Sequence, residues 1–155
     1  MRRHPALFAI LVGGGIAGVL DIAYAISYAI FRGSTAEHLL QVVASGWLGE
    51  ASYAGGTATA ALGLASHMGL SFVFAAFFFA VAKRWPVLAR NPWLTGPLYG
   101  LGVFCVMNFV VLPLSAFPHE VRWSLVGTGG NLLSHLFFFG LPIALATRRA
   151  RAMGD

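Results

Sequence analysis

Four polar side chains that can bind a proton, a cation or a small ligand interrupt otherwise apolar stretches of this 155-residue sequence. They are one carboxylate, two imidazoles and one carboxamide: Asp21, His67, Asn108 and His135. Burial disfavours the charged form of a carboxylate and an adjacent imidazolium favours it, so such groups take up protons as a coupled unit. The same atoms suit a small polar ligand. These four residues are the predicted ligand-binding site.

The two histidines also suggest cofactors. Two imidazoles on different helices fit the axial positions of a b-type haem inside a dry four-helix bundle. Asp21 together with His67 and His135 would suit a divalent metal. A structural role is the remaining alternative, in which each polar side chain hydrogen-bonds a neighbouring helix at about 0.6 kcal/mol. The sequence leaves these alternatives open.

Motifs of known catalytic sites are missing from the sequence. It contains no Gly-x-Ser-x-Gly, no His-Glu-x-x-His and no phosphate-binding loop. A serine directly precedes each of the two histidines, but adjacent residues on a helix point about 100° apart. Neither pair is therefore a ready nucleophile and base. No catalytic residue is predicted, and an enzyme is the less favoured class.

The composition indicates a membrane protein. Hydrophobic residues make up 58% of the chain and charged residues 10%, whereas soluble domains carry about 25% charged residues. So few charges cannot cover a water-soluble surface, so residues 1–155 are expected to form a single integral membrane domain in contact with the lipid bilayer. The net charge of +5 comes from short clusters at the ends of apolar runs, which argues against nucleic-acid binding.

Four segments are long enough to span a bilayer, which needs roughly 20 apolar residues. They are 7–31, 57–82, 93–113 and 128–147. The sequence therefore predicts an all-α membrane protein with a four-transmembrane-helix bundle. Counting about 1.5 Å per residue from the inner end of each segment puts all four polar residues roughly 18–22 Å deep, as one layer in the outer half.

Basic residues predict the orientation. Two arginines, Arg32 and Arg122, fall on one side of the predicted spans. Eight basic residues fall on the other side: Arg2, Arg3, Lys83, Arg84, Arg90, Arg148, Arg149 and Arg151. By the positive-inside rule, both termini and the central loop are expected in the cytoplasm of a bacterial inner membrane.

The first outer loop carries a helix signal. Ser34-Thr35-Ala36-Glu37 is a capping-box pattern, and apolar residues recur at helical spacing after it. This predicts a short amphipathic helix on the outer face. In the spans, Gly14-x-x-x-Gly18 and Gly96-x-x-x-Gly100 predict close helix packing, and Pro142 predicts a kink.

The two halves of the chain share a pattern. Leu64-Ala65-Ser66-His67 in the second span matches Leu132-Leu133-Ser134-His135 in the fourth. This pattern suggests two repeated hairpins related by an axis along the membrane normal. A chance match in such a biased composition is the alternative. The chain is small for a complete transporter, so any transport is expected to need a homo-oligomer. The alternative function is an accessory or assembly subunit of a larger membrane complex, which would dock through the small-residue faces and the amphipathic outer helix.

The second half resembles a known family. The features that carry the resemblance are His67, Phe72-Val73-Phe74-Ala75, Trp85-Pro86, Gly96 to Gly100, Met107-Asn108-Phe109, Pro113-Leu114 and His135. Through these features the chain resembles the YagU-like family of bacterial inner-membrane proteins. The resemblance implies an inner-membrane location and supplies no mechanism. The resemblance does not extend to Asp21, so the role of Asp21 is inferred from this sequence alone.

Overall fold

The described part of the chain folds into four long helices, two short α-helices and the 3-10 helix Gly49–Ala54. The computed structural model describes residues 4–120 and 123–154, which contain no β-strand. The helices are α1 (Pro5–Phe31), α2 (Ala36–Leu48), α3 (Gly56–Arg84), α4 (Val87–Arg90), α5 (Pro92–Leu114) and α6 (Leu125–Met153). By length and composition, α1, α3, α5 and α6 can each cross a membrane. The predicted all-α bundle of four candidate spans is confirmed.

Neighbouring long helices run antiparallel and pack through glycines. Gly14 and Gly18 of α1 face α3, so that a Cβ at Gly14 would lie 2.9 Å from the Phe72 ring. Gly96 and Gly100 of α5 face α6 in the same way. The order around the bundle is therefore α3, α1, α6, α5. Both glycine pairs are used for packing within the chain, so they are not free surfaces for a partner.

The outward surface of the bundle is apolar. Large hydrophobic side chains are exposed on every long helix, for example Leu11, Val73, Leu98 and Phe137. Soluble monomers rarely expose contiguous apolar patches larger than a few hundred Å². The exposed apolar side chains are therefore compatible with an integral membrane protein, whose outer face contacts lipid.

The short helix α2 begins where the capping pattern placed it. The hydroxyl of Thr35 accepts a hydrogen bond from the His38 N–H at 3.1 Å, so Thr35 is the N-cap. The helix crosses α3 at Gly63, where any Cβ would overlap the Leu40 carbonyl. The Trp47 indole N–H also donates to Ser66 of α3 at 3.0 Å. Gly63 lies 19 residues from Ala82, or about 29 Å along α3, which matches one bilayer thickness.

Two proline positions coincide with π-helical turns. The segments Met107–Val111 in α5 and Ser134–Gly140 in α6 are π-helical, and each is followed by a leucine and a proline, Pro113 and Pro142. A proline inside a helix removes one hydrogen bond and clashes with the carbonyl four residues earlier. A wider turn before the proline relieves that clash, and such turns are frequent at functional sites. A third π segment, Ala9–Gly14 in α1, is not followed by a proline.

Candidate functional site

The carboxylate of Asp21 points from α1 towards α6. One face of α1 carries small residues one and two turns earlier, Ala17 and Gly13, and a Cβ at Gly13 would lie 2.9 Å from Ala146 of α6. Because these residues have little or no side chain, α6 comes close enough for Asp21 to reach it. Asp21 is 8% exposed, so it lies in the bundle interior.

Asp21, Ser134 and His135 form one polar cluster. The Ser134 hydroxyl donates a hydrogen bond to Asp21 Oδ1 at 2.6 Å. Nδ1 of His135 lies 3.7 Å from the same oxygen and 3.0 Å from the Asn131 carbonyl oxygen. A carbonyl can only accept, so Nδ1 carries the hydrogen and Nε2 of the neutral ring holds the lone pair. We refer to Asp21, Ser134 and His135 as the Asp–Ser–His cluster.

Aromatic rings enclose the cluster. The His135 ring packs edge-on against Phe104 and stacks with Phe139, with ring centroids 5.7 and 5.9 Å apart. Tyr24 lies one turn beyond Asp21, and its hydroxyl reaches the backbone of Gly130. Such surroundings exclude most water, which makes an uncompensated charge expensive. The side chains of Asp21 and His135 still keep 11% and 14% of their surface accessible.

His67 makes a separate contact one helical turn away. Its Nε2 lies 3.0 Å from the carbonyl oxygen of Gly18 on α1. Gly18 precedes Asp21 by three residues, so His67 and Asp21 meet neighbouring turns of the same helix. The two side chains do not form an ion pair within the described part of the chain. His67 therefore links α3 to α1 beside the cluster.

Asn108 lies further out than the cluster. Its amide donates to the Phe104 carbonyl of its own helix at 2.9 Å. Gly100 abuts the His135 carbonyl, and Asn108 is eight residues beyond Gly100, or about 12 Å. The depth count assumed that all helices begin or end at the same distance from the inner membrane boundary. Because Gly96 packs opposite Leu141, the start of α5 lies further from that boundary than the end of α6. The four polar residues therefore do not form one layer.

The predicted metal and haem ligands are only partly brought together. Asp21 meets His135, but residues 4–120 and 123–154 contain no group of three His, Cys, Asp or Glu side chains that could hold a metal. A haem bound through Nε2 of His67 would have to break the contact of that nitrogen with Gly18. Nε2 of His135 has no hydrogen bond to the described residues.

Sequence reasoning missed Ser134 as the direct partner of Asp21. The sequence excludes Ser134 and His135 as a nucleophile and base, because adjacent side chains on a helix diverge. They do diverge, but Asp21 lies between them and both approach the same carboxylate oxygen. The repeated Leu-Pro pairs after Asn108 and His135 were the available signal for the π segments.

The fold and the cluster define an antiparallel four-helix bundle with four candidate spans and an interior carboxylate. Protein-family models, curated proteins and solved structures gave no match to this chain. The resemblance to the YagU-like family stays a prediction, and the functional argument rests on the geometry of the cluster.

Proposed function

We propose that this chain is a multi-pass protein of the bacterial inner membrane whose Asp–Ser–His cluster binds a proton. The observation that carries the proposal is the buried Asp21 carboxylate, which takes a hydrogen bond from Ser134 at 2.6 Å and has His135 Nδ1 at 3.7 Å. Ionisable residues inside membrane spans are costly and normally mark proton or ion sites. The excess of basic residues on one side of the spans supports cytoplasmic termini. The family resemblance supports the location in the inner membrane.

Proton uptake follows from the tautomer of His135. The Nδ1–H faces the Asn131 carbonyl and Asp21, so the incoming proton binds to Nε2. The product is an imidazolium beside a carboxylate, and the net charge of the pair changes from −1 to 0. A neutral pair in an apolar interior costs less free energy than a lone anion. Asp21 and His135 therefore hold the proton as one pair.

A proton fits this site better than a larger ligand. Oδ1 of Asp21 is already occupied by the Ser134 hydroxyl, and aromatic rings pack on His135. A metal ion needs several converging ligands, and the described residues provide only one carboxylate and one imidazole at this point. A proton needs no cavity and only one lone pair.

The direct test is nitrogen NMR of the histidine rings. Protein labelled with ¹⁵N-histidine is reconstituted in liposomes, and His135→Gln assigns the relevant signals. We expect the wild-type His135 ring to carry its hydrogen on Nδ1 and to bind a proton at Nε2. In Asp21→Asn, this proton binding should change, because the carboxylate that lies 3.7 Å from Nδ1 is gone.

The control is Glu50→Gln. Glu50 is exposed and lies 4.0 Å from Nδ1 of His119, far along the chain from the cluster. This substitution should alter only the His119 signals. Nitrogen signals of the His135 ring that are identical in wild type and Asp21→Asn would refute the proposal.

The orientation needs its own test, because it does not depend on the cluster. In a Cys105→Ala background, single cysteines replace the exposed Glu120 and Arg149. A membrane-impermeant maleimide added to intact spheroplasts should label Glu120→Cys at once and Arg149→Cys only after lysis. The opposite pattern would contradict cytoplasmic termini.

A further inference from the structure

An apolar groove lies between α3 and α5 near one end of the bundle. It encloses about 230 Å³, and residues of α3, α4 and α5 line it: Phe77, Phe78, Val81, Leu88, Leu98 and Tyr99. The only hydroxyl besides Tyr99 on the wall belongs to Thr95, which donates to the Leu88 carbonyl at 2.7 Å. The groove therefore offers hydrocarbon surface and almost no free polar group.

The groove exists because α3 and α5 meet through side chains. The Tyr99 hydroxyl of α5 donates to the Phe74 carbonyl of α3 at 2.7 Å, and its ring lies 4.7 Å from that of Phe78. These two rings form the floor, since Phe78 is 3% exposed. Phe77 and Leu98 form the rims and are 61% and 58% exposed. The groove is therefore open along the outer surface of the bundle, where lipid chains lie.

Cations are concentrated at the end of the bundle where this groove ends. Arg84 follows Val81 by three residues and Phe77 by seven, so it continues the same face of α3. Arg90 follows Leu88 by two residues on the four-residue helix α4. Both arginines are exposed. We call this end, with Lys83, Arg84, Arg90, Arg148, Arg149 and Arg151, the basic end.

Within residues 4–120 and 123–154, no acidic residue lies at the basic end. The acidic residues that the structure describes are Asp21 in the interior and three glutamates at the opposite end: Glu37, Glu50 and Glu120. Arg151 already donates to the Ala82 carbonyl at 3.1 Å. Two exposed tryptophans, Trp85 and Trp93, flank the linker between α3 and α5, a position typical of the headgroup region. A negative headgroup would therefore be attracted to this end.

We propose that the groove binds one acyl chain of an anionic phospholipid, with its phosphate held by Arg84 and Arg90. The apolar lining accommodates the chain, and the cations at the mouth select an anionic headgroup. Guanidinium groups match phosphate oxygens with paired hydrogen bonds, and basic sites between spanning helices on the cytoplasmic side bind anionic lipids. This site requires that the chain spans a membrane and is independent of the proton-binding cluster.

The test uses native mass spectrometry of the full chain in mild detergent. Phosphatidylglycerol and phosphatidylcholine with identical acyl chains are titrated separately. We expect one tightly retained phosphatidylglycerol per chain and at least tenfold weaker retention of phosphatidylcholine. Arg84→Gln with Arg90→Gln should weaken phosphatidylglycerol at least tenfold. The matched double control, Arg148→Gln with Arg149→Gln, removes two exposed cations from the same end and should keep wild-type affinity.

Several outcomes would overturn the lipid site. Equal retention of the two lipids would show that the site does not select an anionic headgroup. An equal loss of affinity in the control variant would show that the whole basic end attracts the lipid, without a specific role for Arg84 and Arg90. Competition by inorganic phosphate at the same concentration would show a soluble anion site without the groove. The comparison of the two lipids on the wild-type protein tests the headgroup selection even where a variant folds poorly. Circular dichroism checks that each variant keeps its helix content.

Discussion

Replacing Gly100 by alanine should separate α5 from α6 at the level of the cluster. A Cβ on Gly100 would overlap the His135 carbonyl oxygen and lie 2.8 Å from Leu136 Cα. Both obstacles are backbone atoms, so no side chain can turn away. The natural control is Gly102→Ala on the same helix, because a Cβ on Gly102 would have no neighbouring atom within 4 Å.

The magnitude follows from two terms. Alanine gains about 1 kcal/mol of helix propensity over glycine at either position, so this term cancels in the comparison. Overpacking of a tight contact costs about 1–3 kcal/mol, and only Gly100→Ala incurs this cost. We therefore expect the free energy of unfolding of Gly100→Ala to be about 1–3 kcal/mol lower than that of Gly102→Ala.

The assay is reversible unfolding in mixed micelles of dodecyl maltoside and dodecyl sulfate, followed by circular dichroism. The free energy of unfolding of both variants is compared with that of wild type. The His135 ring signals give a second reading, since Gly100 touches the backbone of His135 and Gly102 does not. A difference between the variants below about 0.5 kcal/mol, the usual effect of a surface substitution, would refute the close packing of α5 on α6.

Three other substitutions test separate contacts with the same unfolding assay or with proteolysis. Ser134→Ala should cost about 1.5–3 kcal/mol when Asp21 is ionised and clearly less in the Asp21→Asn background; equal costs would mean that the serine does not hold a charged carboxylate. Tyr99→Phe should cost about 0.5–1.5 kcal/mol, because it removes the hydrogen bond that bridges α3 and α5, and an unchanged stability would contradict that bridge. Gly63→Ala should lift α2 from α3 and speed proteolysis of the segment between them, whereas Gly69→Ala, with nothing within 4 Å, should not.

The sequence predicted those features that depend on local composition. Length and hydropathy determine the four candidate spans, and a hydroxyl before a helical apolar pattern indicates α2. The glycine spacing at Gly14 and Gly18 also predicted a close helix contact correctly, because only small residues permit it. None of these sequence signals predicts which helix packs against which other helix. Gly14 and Gly18 face α3, while Asp21 on the same helix faces α6.

The partners in the cluster could not be found from spacing. Ser134 lies 113 residues from Asp21, and their contact depends on the offsets between helix ends. The depth count treated those ends as level and therefore grouped Asn108 with His135. The structure places Gly100 beside His135 instead, so the error arises from helix offset, which no single helix encodes.

The π segment of α6 shifts the buried face of that helix beside the site. On a regular helix, Phe138 would lie on the same buried face as Ser134, because it follows Ser134 by four positions. Phe138 is 42% exposed, whereas Phe139 is 4% exposed. Beyond it the buried positions return to steps of four, at Ile143 and Thr147. The wide turn before Pro142 thus inserts one residue into the buried pattern. It allows Ser134 and His135 to face Asp21 while the rest of α6 keeps its apolar face on α1 and α5.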